Sequence, residues 1–290
     1  MKLQFSVVIP TYHRNDLLAK CLDCLAPGVQ TISPEFYEVI VTDDGSESTA
    51  EEMIKEKYSW VKWVAGPRQG PAANRNNGAK VAQGEWLVFT DDDCLPEADW
   101  LFAYSKAINQ FSLALEGSIH PIGNPNQDLA ECPVNLEGGC FWSANVAIKS
   151  SLFFDLEGFD PNYVLAAQED QDLKLRIESV TNITFVSDAK VYHPVRYKTL
   201  YKSIKQIPSQ VKNWCYYVKK NSLIYQNGGL YVFMLRLYKL FSCKMVNQAL
   251  NVQPGNSLIS FLYLVYGLPL ACSILATRTN YNYIDKGDTP

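Results

Sequence analysis

Three acid-rich stretches carry the residues with the most chemistry in them: Asp43-Asp44-Gly45-Ser46, Asp91-Asp92-Asp93 and Gln168-Glu169-Asp170-Gln171-Asp172. Clustered carboxylates can hold a hard divalent cation such as Mg2+ or Mn2+ and leave positions open for substrate phosphates. They can also supply a general base within reach of a hydroxyl. Taken singly, each stretch also has a bland reading. The first two are solvated turns after strands, and the third places acids in the first turn of a helix, where the dipole favours them.

The elements around these acids decide between the readings. Phe5 to Pro10, Glu38 to Thr42 and Trp86 to Thr90 are short apolar runs that read as buried strands, with Trp60 to Ala65 a shorter fourth. Between them, Asp16 to Leu25, Thr49 to Tyr58 and Gly70 to Ala82 read as helices. Strands alternating with helices predict a mostly parallel sheet covered on both faces, and such sheets bind ligands beyond the carboxyl ends of their strands. The loops Thr11-Tyr12-His13-Arg14, Asp43 to Ser46 and Asp91 to Asp93 follow three of these strands and are therefore predicted to meet at one edge. The pattern weakens from about Asn109 to Gly138. Beyond it, only Val146/Ile148 and Lys190-Val191-Tyr192 read as strand, before and after a helix that opens at Gln168 and runs to about Ile177. No Gly-x-Gly-x-x-Gly follows the first strand, and no Gly-x-x-x-x-Gly-Lys-Ser/Thr occurs, so the usual phosphate cradles of dehydrogenases and P-loop enzymes are missing.

Taken together, the segments Val7-Val8-Ile9-Pro10-Thr11-Tyr12, Val39 to Ser46, Gly70 to Gly78, Ala82 to Pro96, and Gly158-Phe159-Asp160 with Glu169-Asp170-x-Asp172-Leu173 resemble the family 2 glycosyltransferases. The resemblance covers about residues 4 to 195. It implies a GT-A fold, that is, a Rossmann-like, mostly parallel sheet flanked by helices. It implies an inverting, metal-dependent transfer of a sugar from a nucleotide-diphosphate donor, UDP-linked by preference, to a hydroxyl on a saccharide or lipid-linked acceptor. Surface polysaccharide or glycolipid assembly is the expected setting. By the same resemblance Asp93 is a metal ligand, and Asp91 reaches the donor ribose or the metal. Asp43 contacts the base, Pro10, Thr11, Tyr12 and Arg14 line the donor loop, and Asp170 is the catalytic base with Glu169 beside it.

Several readings stay open. Arg68 and Arg75 either touch the donor or pack structurally. His193 is either a further metal ligand, as in some GT-A enzymes, or structural. Trp142 either stacks on the acceptor sugar or belongs to the core. Asp92 is read as facing solvent, Asp44 as capping its turn, Asn76 as structural and Asp172 as a helix-terminus acid. Two rival functions remain: a sugar-phosphate nucleotidyltransferase, disfavoured because Thr11 to Asn15 lacks glycine, and a non-catalytic nucleotide-sugar module, disfavoured by the acids at 91, 93 and 170.

The 290-residue chain has a net charge of −4, which argues against a nucleic-acid partner, yet the charge is unevenly placed. From Ala189 to Ile284 there is no acid but there are twelve Lys or Arg, interleaved with aromatics from Trp214 to Phe241. Basic and aromatic together predict contact with an anionic membrane surface. The expected division is 1–198 for the sheet domain and 199–290 for a basic helical extension. Leu258 to Ala276 is a 19-residue apolar run that spans a bilayer, lies on it, or packs as a soluble subdomain. Eight scattered cysteines and a start that runs straight into a strand predict free thiols and a cytoplasmic location at the inner face of the membrane. Cys21-x-x-Cys24 reads as one face of a buried helix.

Overall fold

The computed structural model describes residues 3–47, 49–163, 165–221 and 229–276, and for residues 229–237, 240 and 276 it describes the backbone. Tyr225 and residues 277–290 of the expected basic region lie outside the described residues. In chain order the elements are β1 (Phe5–Thr11), α1 (Asn15–Leu25), β2 (Tyr37–Asp43), α2 (Glu51–Lys57), β3 (Val61–Ala65), α3 (Pro71–Lys80) and β4 (Trp86–Thr90). They continue with β5 (Leu95–Pro96), α4 (Trp100–Ala107), β6 (Ala114–Ile122), β7 (Ala130–Glu131), β8 (Asn145–Lys149), α5 (Ser150–Asp155) and α6 (Glu169–Glu178). Last come β9 (Ile183–Pro194), β10 (Arg196–Tyr197), α7 (Leu200–Lys220) and further helices to Ala276.

The chain forms two units, residues 1–123 with 132–194, and residues 124–131 with 195–290. The first unit holds an eight-stranded sheet in the order β3-β2-β1-β4-β8-β6-β9-β5. Strands β3 to β4 in that order are parallel, as are β6 and β9, whereas β8 and β5 run antiparallel to their neighbours. Every residue of β1 is buried, because alternate side chains feed two cores. Phe5, Val7 and Ile9 join Leu18, Cys21, Leu22 and Leu25 of α1 on one face. Val8 joins Ala72 and Ala79 of α3, with Phe89, Phe153, Phe159 and Leu173, on the other. Cys21 is thus core, and all eight cysteines are free.

Registers explain how the site is assembled. Thr11 pairs with Asp43 and Asp43 with Ala65, so β1, β2 and β3 end level with one another. Thr90 pairs with Asn145, which brings the start of antiparallel β8, and the segment before it, to the same edge. Strand β6 was not expected from the sequence. Its nine residues carry Glu116, Gly117, Ser118, His120 and Pro121, which hide the apolar period. The polar ones are nonetheless enclosed, and β6 pairs along β9 with an irregularity at Gly117/Ser118. Strand β9 is likewise longer than the three-residue signal at 190–192.

In the second unit β7 pairs antiparallel with β10. Helix α7 is capped by Thr199, whose hydroxyl accepts from Lys202 N at 3.2 Å. Helices Pro254–Leu262 and Leu268–Ala276 run on through a π-helical turn, Tyr263–Gly267. Ile207, Val211 and Cys215 of α7 bury against Ala271, with Leu262, Tyr263 and Ile274 packed around them.

Candidate active site

Helix α3 brackets the site. Its sequence, Asn74-Arg75-Asn76-Asn77, puts polar residues on every side of a helix that lies flat on the sheet; a Cβ on Gly78 would stand 2.6 Å from Val8 Cγ1. Each of the four ties down a different segment. Asn74 accepts from Thr42 Oγ1 at 2.6 Å and donates to Thr42 O at 2.9 Å, holding the end of β2. Asn77 donates to Thr42 Oγ1 at 3.0 Å and to Ala65 O at 2.9 Å. Asn76 exchanges two hydrogen bonds with the backbone of Phe159, at 2.6 and 3.0 Å, which fixes the Gly158-Phe159-Asp160 turn. Arg75, buried, donates to Asp91 Oδ1 at 2.8 Å and to Glu169 Oε1 at 3.1 Å. Arg75 thereby joins the acid loop after β4 to the first turn of α6.

The acid loop is clamped from below. Thr11 Oγ1 donates to Asp92 Oδ2 at 2.7 Å, Arg14 Nη2 lies 2.5 Å from Asp92 Oδ1, and Arg14 Nη1 lies 3.5 Å from Asp93 Oδ2. Asp92 is fully enclosed, and this corrects its reading as a solvent-facing residue. Burial pushes its carboxyl up to about 7 against the opposing pull of Arg14. Arg14 turns back onto the acids, a role the sequence did not suggest for it. No local signal pairs it with Asp92, because the two are far apart in the chain.

The metal question turns on Asp93, Cys94 and His193, whose ligand atoms all lie within 4.8 Å of one another. His193 Nδ1 lies 2.8 Å from Pro194 O, which makes it the donor and leaves the Nε2 lone pair facing Asp93 Oδ1 at 3.4 Å. A lone pair and a carboxylate facing each other in a buried place call for a cation or a proton between them. The Cys94 thiol donates to Ala144 O at 3.8 Å, and burial raises it well above its ordinary value. The thiol is thus engaged with a backbone carbonyl, whereas the Asp93 carboxylate and the His193 imidazole face each other; those two donors suit Mg2+ or Mn2+.

On the far side, Glu169 and Asp170 open α6 from Gln168, a non-glycine residue with φ 74°. Burial first, and the neighbouring Asp170 second, push Glu169 up to about 7, and its Oε2 has no hydrogen-bond partner. Burial also raises Asp170, which accepts from Gln171 N at 2.8 Å. Burial pushes Asp91 the same way, but Arg75 outweighs it and holds that carboxyl below its ordinary value. Asp172 points away and pairs with Arg176 at 2.8 Å.

The nucleotide-side residues are placed less uniformly. Asp43 accepts from Gly45 N at 2.8 Å and Ala50 N at 2.6 Å, so in this state its carboxylate organises its own loop. Asp44 accepts from Arg68 N at 2.9 Å, and a Cβ on Gly66 would sit 2.2 Å from Asp44 Oδ1. The Arg68 side chain is exposed, as is Tyr12, while Pro10 and Thr11 are buried at the end of β1. Trp142 packs partly buried against the core. Four non-glycine residues with left-handed backbone, His13, Arg68, Phe141 and Gln168, stand in these loops, a concentration of strain typical of functional sites.

Two structural anchors escaped the sequence. Glu116 accepts from Phe141 N at 2.7 Å, from Asn135 Nδ2 at 3.1 Å and from Gly139 N, and so shapes the loop that Gln171 and Lys174 of α6 grip through Cys140 O and Gly139 O. Asn145 accepts from Trp100 Nε1 at 2.8 Å and Tyr104 OH at 2.7 Å, and donates to Ser118 O at 2.9 Å and Ala189 O at 2.8 Å.

Residues 6–115 match the profile described as Glycosyl transferase family 2. This segment of the chain, from β1 to the start of β6, carries that family's signature. A poly(ribitol-phosphate) beta-glucosyltransferase of Bacillus spizizenii is 27% identical to this chain over 228 residues, 72% of the chain and 35% of the relative. The chain therefore spans about a third of that relative's length. Among solved structures, S. aureus TarS 1–349 in complex with UDP-GlcNAc superposes with a TM-score of 0.55 at 18% identity, over 90% of this chain and 91% of that one. The mannosyltransferase PcManGT from Pyrobaculum calidifontis, in complex with GDP-Man and Mn2+, gives a TM-score of 0.55 at 18% identity, over 95% of this chain and 75% of that one. At such identities the likeness establishes the GT-A fold.

Proposed function

We propose that this chain transfers a sugar, with inversion, from a nucleoside-diphosphate donor to a hydroxyl acceptor. The observation that carries the reading is the single guanidinium of Arg75 shared by Asp91 and Glu169, which binds the acid loop to the helix bearing Asp170. Asp93 and His193 would hold a divalent ion, which when bound supplies positive charge to the departing diphosphate. Asp170 takes the proton from the attacking hydroxyl, helped by the raised affinity for protons that burial gives it. With one base and no second carboxylate placed as a nucleophile, the reaction is a single displacement, and the anomeric configuration inverts. Arg75 holds Glu169 and Asp91 in place as the charge shifts. Asp43 and the Thr11 to Arg14 loop bound the donor side.

A UDP-linked donor is supported by the UDP-GlcNAc complex of a structural neighbour, and Mn2+ by the GDP-Man neighbour that carries it. The poly(ribitol-phosphate) relative supports a polymer acceptor in surface polysaccharide assembly, and a relative whose name carries a PP-undecaprenol-linked saccharide supports a lipid-linked one; we place the reaction at the cytoplasmic face of the membrane. The division into a sheet domain up to about residue 198 and a basic extension belongs to the same proposal.

The test is release of UDP from a panel of UDP-sugars with Mn2+ and saccharide acceptors, with product anomers read by NMR. Asp170→Asn should cut kcat by about a thousandfold and leave donor binding nearly intact. Asp93→Ala should weaken donor binding as well. Normal turnover in Asp170→Asn, or a retained anomeric configuration, would overturn the mechanism.

A further inference from the structure

The second unit offers a surface of unusual make-up. Its helix Pro254–Leu275 is 22 residues long with mean hydropathy 2.0, yet 22% of it is buried. The buried face, Ser260, Gly267, Leu268 and Ala271, is turned inward, with Ala271 against α7. Leu258, Phe261, Val265, Pro269 and Cys272 are exposed, as are Pro254, Tyr266 and Ser273. Steps of three and four put the first five on one apolar stripe of the helix, bordered by Tyr266 and Ser273. A helix that faced only water would carry polar side chains there.

The charge around this stripe has one sign. Residues 195–276 hold no acid. The two acids that the segment 124–131 contributes are engaged: Asp128 accepts from Gly255 N and Asn256 N at 2.8 Å, and Glu131 pairs with Lys198 at 2.6 Å. Lys202, Lys205, Lys212 and Lys220 are exposed on α7, and Lys219 donates to Ile274 O at 2.9 Å. Helix α7 packs beside the apolar helix through Ile207, Val211 and Cys215. If the apolar helix crossed a bilayer, α7 would be drawn into the hydrocarbon with lysines at its middle, which is strongly disfavoured.

We propose that this unit seats the protein on an anionic lipid surface as an in-plane, non-spanning anchor. The stripe Leu258, Phe261, Val265, Pro269 and Cys272 enters the headgroup–acyl boundary, and the lysines of α7 meet the anionic headgroups. The charge complementarity selects lipid phosphate over a second copy of this equally basic unit. This proposal stands on the second unit alone and does not depend on the glycosyl-transfer reading.

The experiment is flotation of the full chain with vesicles of phosphatidylcholine alone or mixed with phosphatidylglycerol, followed by salt and alkaline carbonate washes of the bound fraction. The wild type should float with the anionic vesicles, lose most binding at high salt, and come off in carbonate. Phe261→Glu with Val265→Glu, and separately Lys205→Gln with Lys212→Gln, should each lower partitioning about tenfold or more. These positions are exposed, and unchanged circular dichroism and melting would show that the fold is kept. The lysine pair keeps the test decisive if the glutamate pair unfolds. Failure to float with either vesicle overturns the proposal. So does binding that resists carbonate, which would mean a spanning helix. Equal binding to neutral vesicles, or a solution dimer that the glutamate pair dissociates, also overturns it. UDP release from a donor in the absence of vesicles reports on the catalytic reading separately.

Discussion

Asp91 and Glu169, far apart in the chain, accept from one buried guanidinium, Arg75, at 2.8 and 3.1 Å. The bridge sets the spacing between the loop that would hold the donor's ion and the helix turn that carries Asp170, the proposed base. It also explains why two raised acids and one lowered acid coexist there: Arg75 sits closer to Asp91 than to Glu169, and burial governs what it does not neutralise.

Removing that guanidinium leaves several buried carboxylates facing one another. Arg75→Met should destabilise the protein by about 3 kcal/mol or more, the range for orphaning one side of a buried ion pair. Arg75→Lys keeps the charge but loses the fork, and should retain most stability while lowering kcat about tenfold or more. Urea unfolding and steady-state rates check the two halves independently.

The pH behaviour follows from Glu169. Its folded-state value of about 7 stands above the 4.5 of a free glutamate, so the native chain binds more protons than the unfolded one between those limits. Its contribution to stability is therefore full below about pH 4.5 and is lost as pH rises towards about 7. The melting temperature of wild type minus that of Glu169→Gln should fall across this window and flatten above it. A difference that rises with pH would contradict the assignment. Transfer should run the other way, increasing with pH as Asp170, whose carboxyl burial holds above its ordinary range, gives up its proton.

The His193–Asp93 pair makes a prediction that needs no turnover. His193→Ala should weaken Mn2+ binding by at least about tenfold, as read by electron paramagnetic resonance of free Mn2+. Cys94→Ser should leave it nearly unchanged, because a hydroxyl can donate to Ala144 O as the thiol does.

Asn145 is the test of the scaffold. Replacing it with Ala strands the Trp100 indole N–H, the Tyr104 hydroxyl and the carbonyls of Ser118 and Ala189. A loss of about 3 kcal/mol in denaturant unfolding is expected, with Mn2+ affinity preserved.

Much of this was legible in the chain itself. The runs Phe5 to Pro10, Glu38 to Thr42 and Trp86 to Thr90 are apolar on both sides, so their strands and the level ending of their loops follow from composition alone. The acids after them announce themselves. What escaped was polar residues buried by tertiary pairing. Asp92 reads as a surface aspartate until Arg14 and Thr11 are folded against it. Strand β6 is hidden because Glu116 and Ser118 are enclosed by partners distant in sequence, Phe141 N and Ser187 O. The one available signal was α3: four polar residues in a row, in a helix too close to the sheet to be solvated, imply that each has a buried partner.

The interleaving of the two units has a consequence for synthesis. Residues 124–131 leave the ribosome well ahead of β10, their pairing strand at Arg196–Tyr197. At elongation speeds of ~5–20 residues per second, the gap lasts on the order of seconds. During that interval β8, α6 and β9 of the sheet unit are being made, while β7 awaits a partner strand not yet translated. A gene fragment stopped at Pro194 would fix that transient as a permanent state.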